Sequence, residues 1–197
     1  MKYLTSKKIF IGLILFICVI TIFYVAGIIG GNFSSPFENS NTQDLQRLVP
    51  KEMHPTPIAM EACANLYALS APRGVQNPRR KHYTQQQFDQ LLTFVFYPDK
   101  NPYDWVVNVG ALGALLSIDL PKNDVAFRMY EVNWMTKAAT TFIKNPQPAV
   151  RWDAAYLIER QRLTGTLQSL SAALLSEKNP LVAKEMRKAL NVCNKTE

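Results

Sequence analysis

The chain has 197 residues, 48% of them apolar, and a formal net charge of +7. This fits one globular domain with accessory segments. Lys2, Lys7 and Lys8 precede the first apolar run and account for three of the charges, leaving +4 for the remainder. With no groove-reading motif in the sequence, that excess reads as a mildly basic solvated surface rather than a nucleic-acid site.

Ile9 to Ile29 is an uncharged apolar run. At roughly 1.5 Å per residue, about 20 helical residues cross a bilayer core of about 30 Å. A secretory signal has a shorter core of about 7–15 residues, so the length favours an uncleaved anchor. Ala26, Gly27, Gly30 and Gly31 keep cleavage open as an alternative. The lysines lie before the run, and Gly31 to Thr42 has no Lys or Arg. The positive-inside rule then predicts a cytoplasmic N-terminus and a periplasmic or otherwise extracytoplasmic remainder, in a single-pass inner-membrane protein. The expected organisation is a basic flank (1–8), a transmembrane signal-anchor (9–30), a spacer with a short helix (31–55) and a helical domain (56–197).

In the spacer, Gly30 to Thr42 is polar and turn-rich, and a short helix from Thr42 to Leu48 is expected before Pro50. Thr56 is placed to cap a helix with Pro57 in its first turn. Ile58, Ala62, Leu66 and Leu69 form the apolar stripe of that helix. After a loop holding Arg79, Arg80, Lys81 and His82, Thr84 and Gln87 have capping-box spacing. The helix they open carries Phe88, Leu91, Leu92, Val95 and Phe96. Asn101-Pro102 predicts another helix start, and Gly110 and Gly113 would let a neighbouring helix come close. Asn123 or Asp124 is expected to cap a longer helix to about Lys144, with Val125, Met129, Val132, Met135, Ala139 and Ile143 on one face. No segment of the exported part alternates convincingly as a strand, which predicts an all-α domain.

The last quarter of the chain repeats itself. Pro148-Ala-Val-Arg-Trp-Asp-Ala-Ala-Tyr-Leu-Ile158 aligns without gaps on Pro180-Leu-Val-Ala-Lys-Glu-Met-Arg-Lys-Ala-Leu190, about 32 residues on. Each copy carries an i, i+4, i+7, i+8 apolar stripe, and a helix with Leu163, Leu167, Leu170 and Leu174 lies between them. This period indicates stacked helix pairs. These residues, with Glu177-Lys-Asn-Pro-Leu-Val, resemble the HEAT-like repeats of the phycobilisome-lyase type, over about residues 145–193. The resemblance implies a right-handed-solenoid-like stack of HEAT-type helix pairs, which would follow the transmembrane anchor helix in an all-α chain. It also implies a stacking role for Arg151 and Asp153. Ala183 replaces the Arg of the pattern, as in a degenerate terminal copy.

Catalytic and metal motifs are not visible, and no cofactor or small-molecule ligand is expected. His54 and His82 have no second ligand at metal spacing. Glu61, Asp89, Asp104, Asp119, Asp124, Glu131, Asp153 and Glu159 are expected at helix ends and on polar faces. Cys63 and Cys193 are either two thiols or a disulfide closing a loop of about 130 residues, which the chain-entropy model values at about 5 kcal/mol. Partner-binding candidates are Trp152, Trp134, Tyr156 and the basic loop Arg79, Arg80 and Lys81. Trp152 lies beside the apolar stripe and Lys184 takes its place in the next copy, so Trp152 is expected to be exposed. The favoured function is a membrane-anchored scaffold that binds another envelope or membrane protein, as an assembly subunit of a secretion or transport complex. The alternative is an envelope hydrolase using helix-borne carboxylates.

Overall fold

The structure, a computed structural model, describes residues 41–50, 53–70, 83–98, 101–116, 118–121 and 123–195. The apolar run 9–29 and the basic loop 79–82 lie outside these residues. Among the described residues no helix is long and apolar enough to cross a membrane. The described residues belong to one unit, Ser40–Glu197.

The helices are α1 (Asn41–Leu48), α2 (Pro57–Ser70), α3 (Gln85–Val95), α4 (Val106–Leu116), α5 (Val125–Phe142), α6 (Pro148–Gln161), α7 (Leu167–Ser176) and α8 (Pro180–Asn194). A short 3-10 turn, Thr164–Thr166, precedes α7. The unit is all-α, with no strand among the described residues.

Local capping chemistry sets several helix starts. Thr56 Oγ1 accepts the Ala59 amide at 3.1 Å, and Thr84 and Gln87 form the expected capping box. Asp124 accepts the Phe127 amide at 2.8 Å. Asn179 Oδ1 accepts the amides of Leu181 and Val182, ahead of Pro180. The other two Asn-Pro pairs act differently. Asn101 and Asn145 each accept the amide two residues on, making turns that delay the helix to Val106 and Pro148.

The helices lie in two rows. One consists of α2, α4, α6 and α8, each packed on the next, and the other contains α3, α5 and α7. Helices α3, α5 and α7 also pack on α4, α6 and α8 respectively. The row of α2 to α8 supplies much of the core, including Leu66, Leu112, Leu115, Val150, Ala154, Leu157, Ile158, Val182 and Met186. Two side-chain amides tie neighbouring helices. Asn108 Nδ2 donates to the Val95 and Tyr97 carbonyls at the end of α3. Gln161 Nε2 donates to the Leu115 and Ile118 carbonyls at the end of α4. Gly110 does permit a close approach, because a Cβ there would lie 3.1 Å from Leu66 Cδ2. Gly113 has open space instead.

Two apolar stripes differ from expectation. Ile58 is 60% exposed, and Ala59 joins Ala62 and Leu66 in the core. On α5, Val125 and Met129 face solvent, while Glu131, Met135, Ala138, Ala139 and Phe142 are buried. Helix α5 packs against α3, α6 and the 3-10 turn, so its contacts do not reduce to a single stripe.

Candidate interaction surface

The repeat aligns α6 with α8, and the two helices pack side by side. Arg151, from the first turn of α6, reaches Glu177 ahead of α8. Its Nε donates to Oε2 at 2.6 Å and its Nη2 to Oε1 at 2.9 Å. Its Nη1 donates to the carbonyls of Asn145 and Pro146 at 2.8 and 2.9 Å. Glu177 Oε1 also accepts the Asn179 amide at 2.8 Å. Burial pushes the Glu177 carboxyl up, but hydrogen bonds from Arg151 and Asn179 hold it below its ordinary value. This one guanidinium ties the loop before α6 to the loop before α8. A cavity of about 330 Å³ lies at this junction, beside Arg151, Lys144, Lys178 and Ser176.

Asp153 and Glu185 hold the same repeat position, and both are buried, contrary to the polar-face placement expected for Asp153. Desolvation raises the Asp153 carboxyl to about 8. It also raises Glu185 to about 7, with a contribution from a side-chain hydrogen bond with Glu159, while Lys188 pulls the other way. Glu185 Oε2 accepts Lys188 Nζ at 3.0 Å. Glu185 Oε1 and Glu159 Oε2 are buried and accept no N–H or O–H from the described residues, so a proton held on Glu185 can bond Glu159.

Other acids are buried too. Asp104 accepts both the amide and the hydroxyl of Thr56, at 2.9 and 3.1 Å, and so fixes the start of α2. Glu131 is buried on α5, and desolvation raises it to about 7. These carboxyls are not set around the cavity, whose lining includes Glu177 alone among the acids.

Helix α1 docks on α6. Asp44, 5% exposed, accepts Lys184 Nζ of α8 at 2.9 Å. Leu45 and Leu48 pack half-buried against the core. The structure corrects the expectation for Trp152, which is 2% exposed. Lys184 is the repeat equivalent of Trp152 and carries the α1 ion pair. The Trp152 ring sits 5.2 Å from that of Tyr156, which is half-buried. The equivalent of Tyr156 in α8 is Lys188.

Trp134 belongs to a separate surface. It lies half-buried on α5, 6.0 Å from Phe96 and 6.4 Å from Tyr130 between ring centres. Phe88 and Phe127 continue this ridge. Lys137 Nζ sits 4.3 Å over the Trp134 ring, within cation–π range. The Tyr130 hydroxyl donates to Asp89 Oδ1 at 2.6 Å. Thus Trp134 and Tyr156 are partly accessible, Trp152 is not, and Arg79, Arg80 and Lys81 fall outside the described residues.

Cys63, half-buried, and Cys193, buried, are thiols in this structure. Cys193 is buried and its Sγ lies 4.0 Å from the Ile158 carbonyl. His54 packs edge-on to Tyr103. No group of three or more His, Cys, Asp or Glu side chains that could hold a metal occurs among the described residues.

Sequence reasoning missed Asp44, Lys184 and Glu185. The repeat offers one signal for Glu185, since it matches Asp153 at the same offset. Nothing local marks Asp44, whose partner is 140 residues away in sequence. Comparison with family models, with curated proteins and with solved structures found no match for this chain.

Proposed function

We propose that this chain is a bitopic, membrane-anchored scaffold whose extracytoplasmic domain is a stack of HEAT-like helix pairs. It would bind another envelope or membrane protein as an assembly subunit of a secretion or transport complex. The observation that carries this reading is the two-row packing, in which repeat-related α6 and α8 lie side by side and Arg151–Glu177 joins their loops. Such rows present long faces to a partner. The half-exposed ridge around Trp134 supplies the aromatic and cationic chemistry enriched at binding hot spots. The anchor rests on the length and flanking charge of residues 9–30.

The test is brief crosslinking of tagged full-length protein in intact cells, then gentle solubilisation and mass spectrometry of what co-purifies. A stoichiometric envelope partner that is lost on Trp134→Ala supports the reading. A partnerless monomer retaining a defined substrate-dependent activity would shift it to the hydrolase alternative.

A further inference from the structure

We propose that the α6–α8 face under α1 receives a short amphipathic helix from a partner protein. That helix carries an Asp followed by leucines one and four residues later, and α1 is the site's built-in occupant. The inference rests on the scaffold reading and specifies the partner's chemistry.

The placement of α1 is the first argument. It precedes α2 in sequence, yet its main packing is on α6 and its ion pair is on α8, the third and fourth members of the row. Eight residues, Val49–Thr56, separate it from α2. Fully extended they reach about 27 Å, enough for two inter-helix steps of about 8–10 Å each. Helix α1 thus occupies this face as a tethered segment, apart from its neighbour in sequence.

The second argument is the means of attachment. A free eight-residue helix is marginal in water, so docking holds α1 in shape. The docking uses Asp44 on Lys184, with Leu45 and Leu48 packed half-buried against the core. These are the spaced anchors of helix-in-groove recognition. The receptor side is complementary. Trp152 and Tyr156 give α6 an aromatic surface, and α8 adds Lys184 and Lys188. Lys184 makes the direct bond to the acid of the docked helix, and Lys188, bonded to Glu185, adds its charge to the field at Asp44. A half-exposed ion pair and two half-buried leucines hold α1 less firmly than the core stripes hold α6 and α8. A longer partner helix with the same pattern covers more of the face and displaces it.

The experiment uses full-length protein in lipid nanodiscs and a fluorescent peptide of residues 41–50 as the probe. A chain carrying Leu45→Asp and Leu48→Asp, its internal helix released, is expected to bind the peptide at least tenfold more tightly than wild type. Adding Lys184→Glu to that chain should weaken binding several-fold, and a peptide with the same two Leu→Asp changes should not bind. Equal binding by wild-type and released chains, or indifference to Lys184→Glu, overturns the proposal. Hydrogen exchange on the unaltered chain supplies a test that needs no variant. The amides of 45–48 should exchange through local opening while those of α6 remain protected, and exchange of both at one global rate overturns displacement. A concentration-dependent dimer held by swapped α1 helices, which excess peptide dissolves, would replace the partner helix with a second copy. Partner capture that persists without peptide binding removes this inference and leaves the scaffold reading standing. Peptide binding without partner capture overturns the scaffold reading and the partner helix with it, leaving α1 as a docked internal helix.

Discussion

Arg151 and Glu177 form a two-bond ion pair across 26 residues of sequence, with Glu177 2% exposed and Arg151 18% exposed. Truncating the arginine strands a buried carboxylate and two loop carbonyls. Arg151→Ala is therefore expected to cost about 3 kcal/mol, near the lower end for breaking a buried pair. Chemical denaturation would show it as a lower midpoint at unchanged slope. Arg151→Lys should recover only part of the loss, since an ammonium cannot reproduce the planar fork.

The raised acids give stability a definite pH dependence. Asp153, Glu131 and Glu185 hold protons up to about 8, 7 and 7 in the folded chain. In the unfolded chain they release them near pH 4. Between these limits the native state binds more protons, so stability falls as pH rises from about 4 to about 8 and levels off above. The melting temperature should be higher at pH 5.5 than at pH 8.5. Asp153→Asn should flatten that slope and raise stability at pH 8.5, whereas an unchanged slope would show that Asp153 is not a source of it.

Trp152→Ala should unfold the domain readily. The indole is buried among α6 neighbours and beside Tyr156. Removing it leaves a large cavity, for which a loss of about 3–5 kcal/mol is typical. Circular dichroism melts of Trp152→Ala and Trp134→Ala side by side would separate the two, because half-buried Trp134 should cost much less.

The glycines of α4 should respond unequally to alanine. Gly113→Ala is expected to stabilise by about 0.5–1 kcal/mol, the usual helical gain, since its new methyl meets nothing within 4 Å. At Gly110 the methyl would press on buried Leu66, offsetting that gain. Thermal melts of both variants would show the difference.

Legibility in the sequence followed the range of the interaction. Thr84 with Gln87, Asp124 and Asn179 were readable because a cap and its amides lie within a few residues. The apolar faces of α6 and α8 were readable because each stripe recurs after one repeat. Trp152 was not, because its alignment with exposed Lys184 says nothing of how closely the neighbouring elements pack around α6. Glu131 was expected on a polar face because hydrophobic spacing on α5 favoured Val125 and Met129, and only the neighbouring helices decide which side is buried. Arg151 was legible as a packing residue through the repeat resemblance, but its partner Glu177 emerged from the geometry.

Cys193 gives the chain a built-in clock. Its Sγ lies against the Ile158 carbonyl between α8 and α6, wholly buried, and burial pushes its thiol up. The thiolate is the form that attacks alkylating reagents, so this sulfur stays silent while α8 is seated. Each labelling event at Cys193 therefore counts one departure of the last helix from its neighbour.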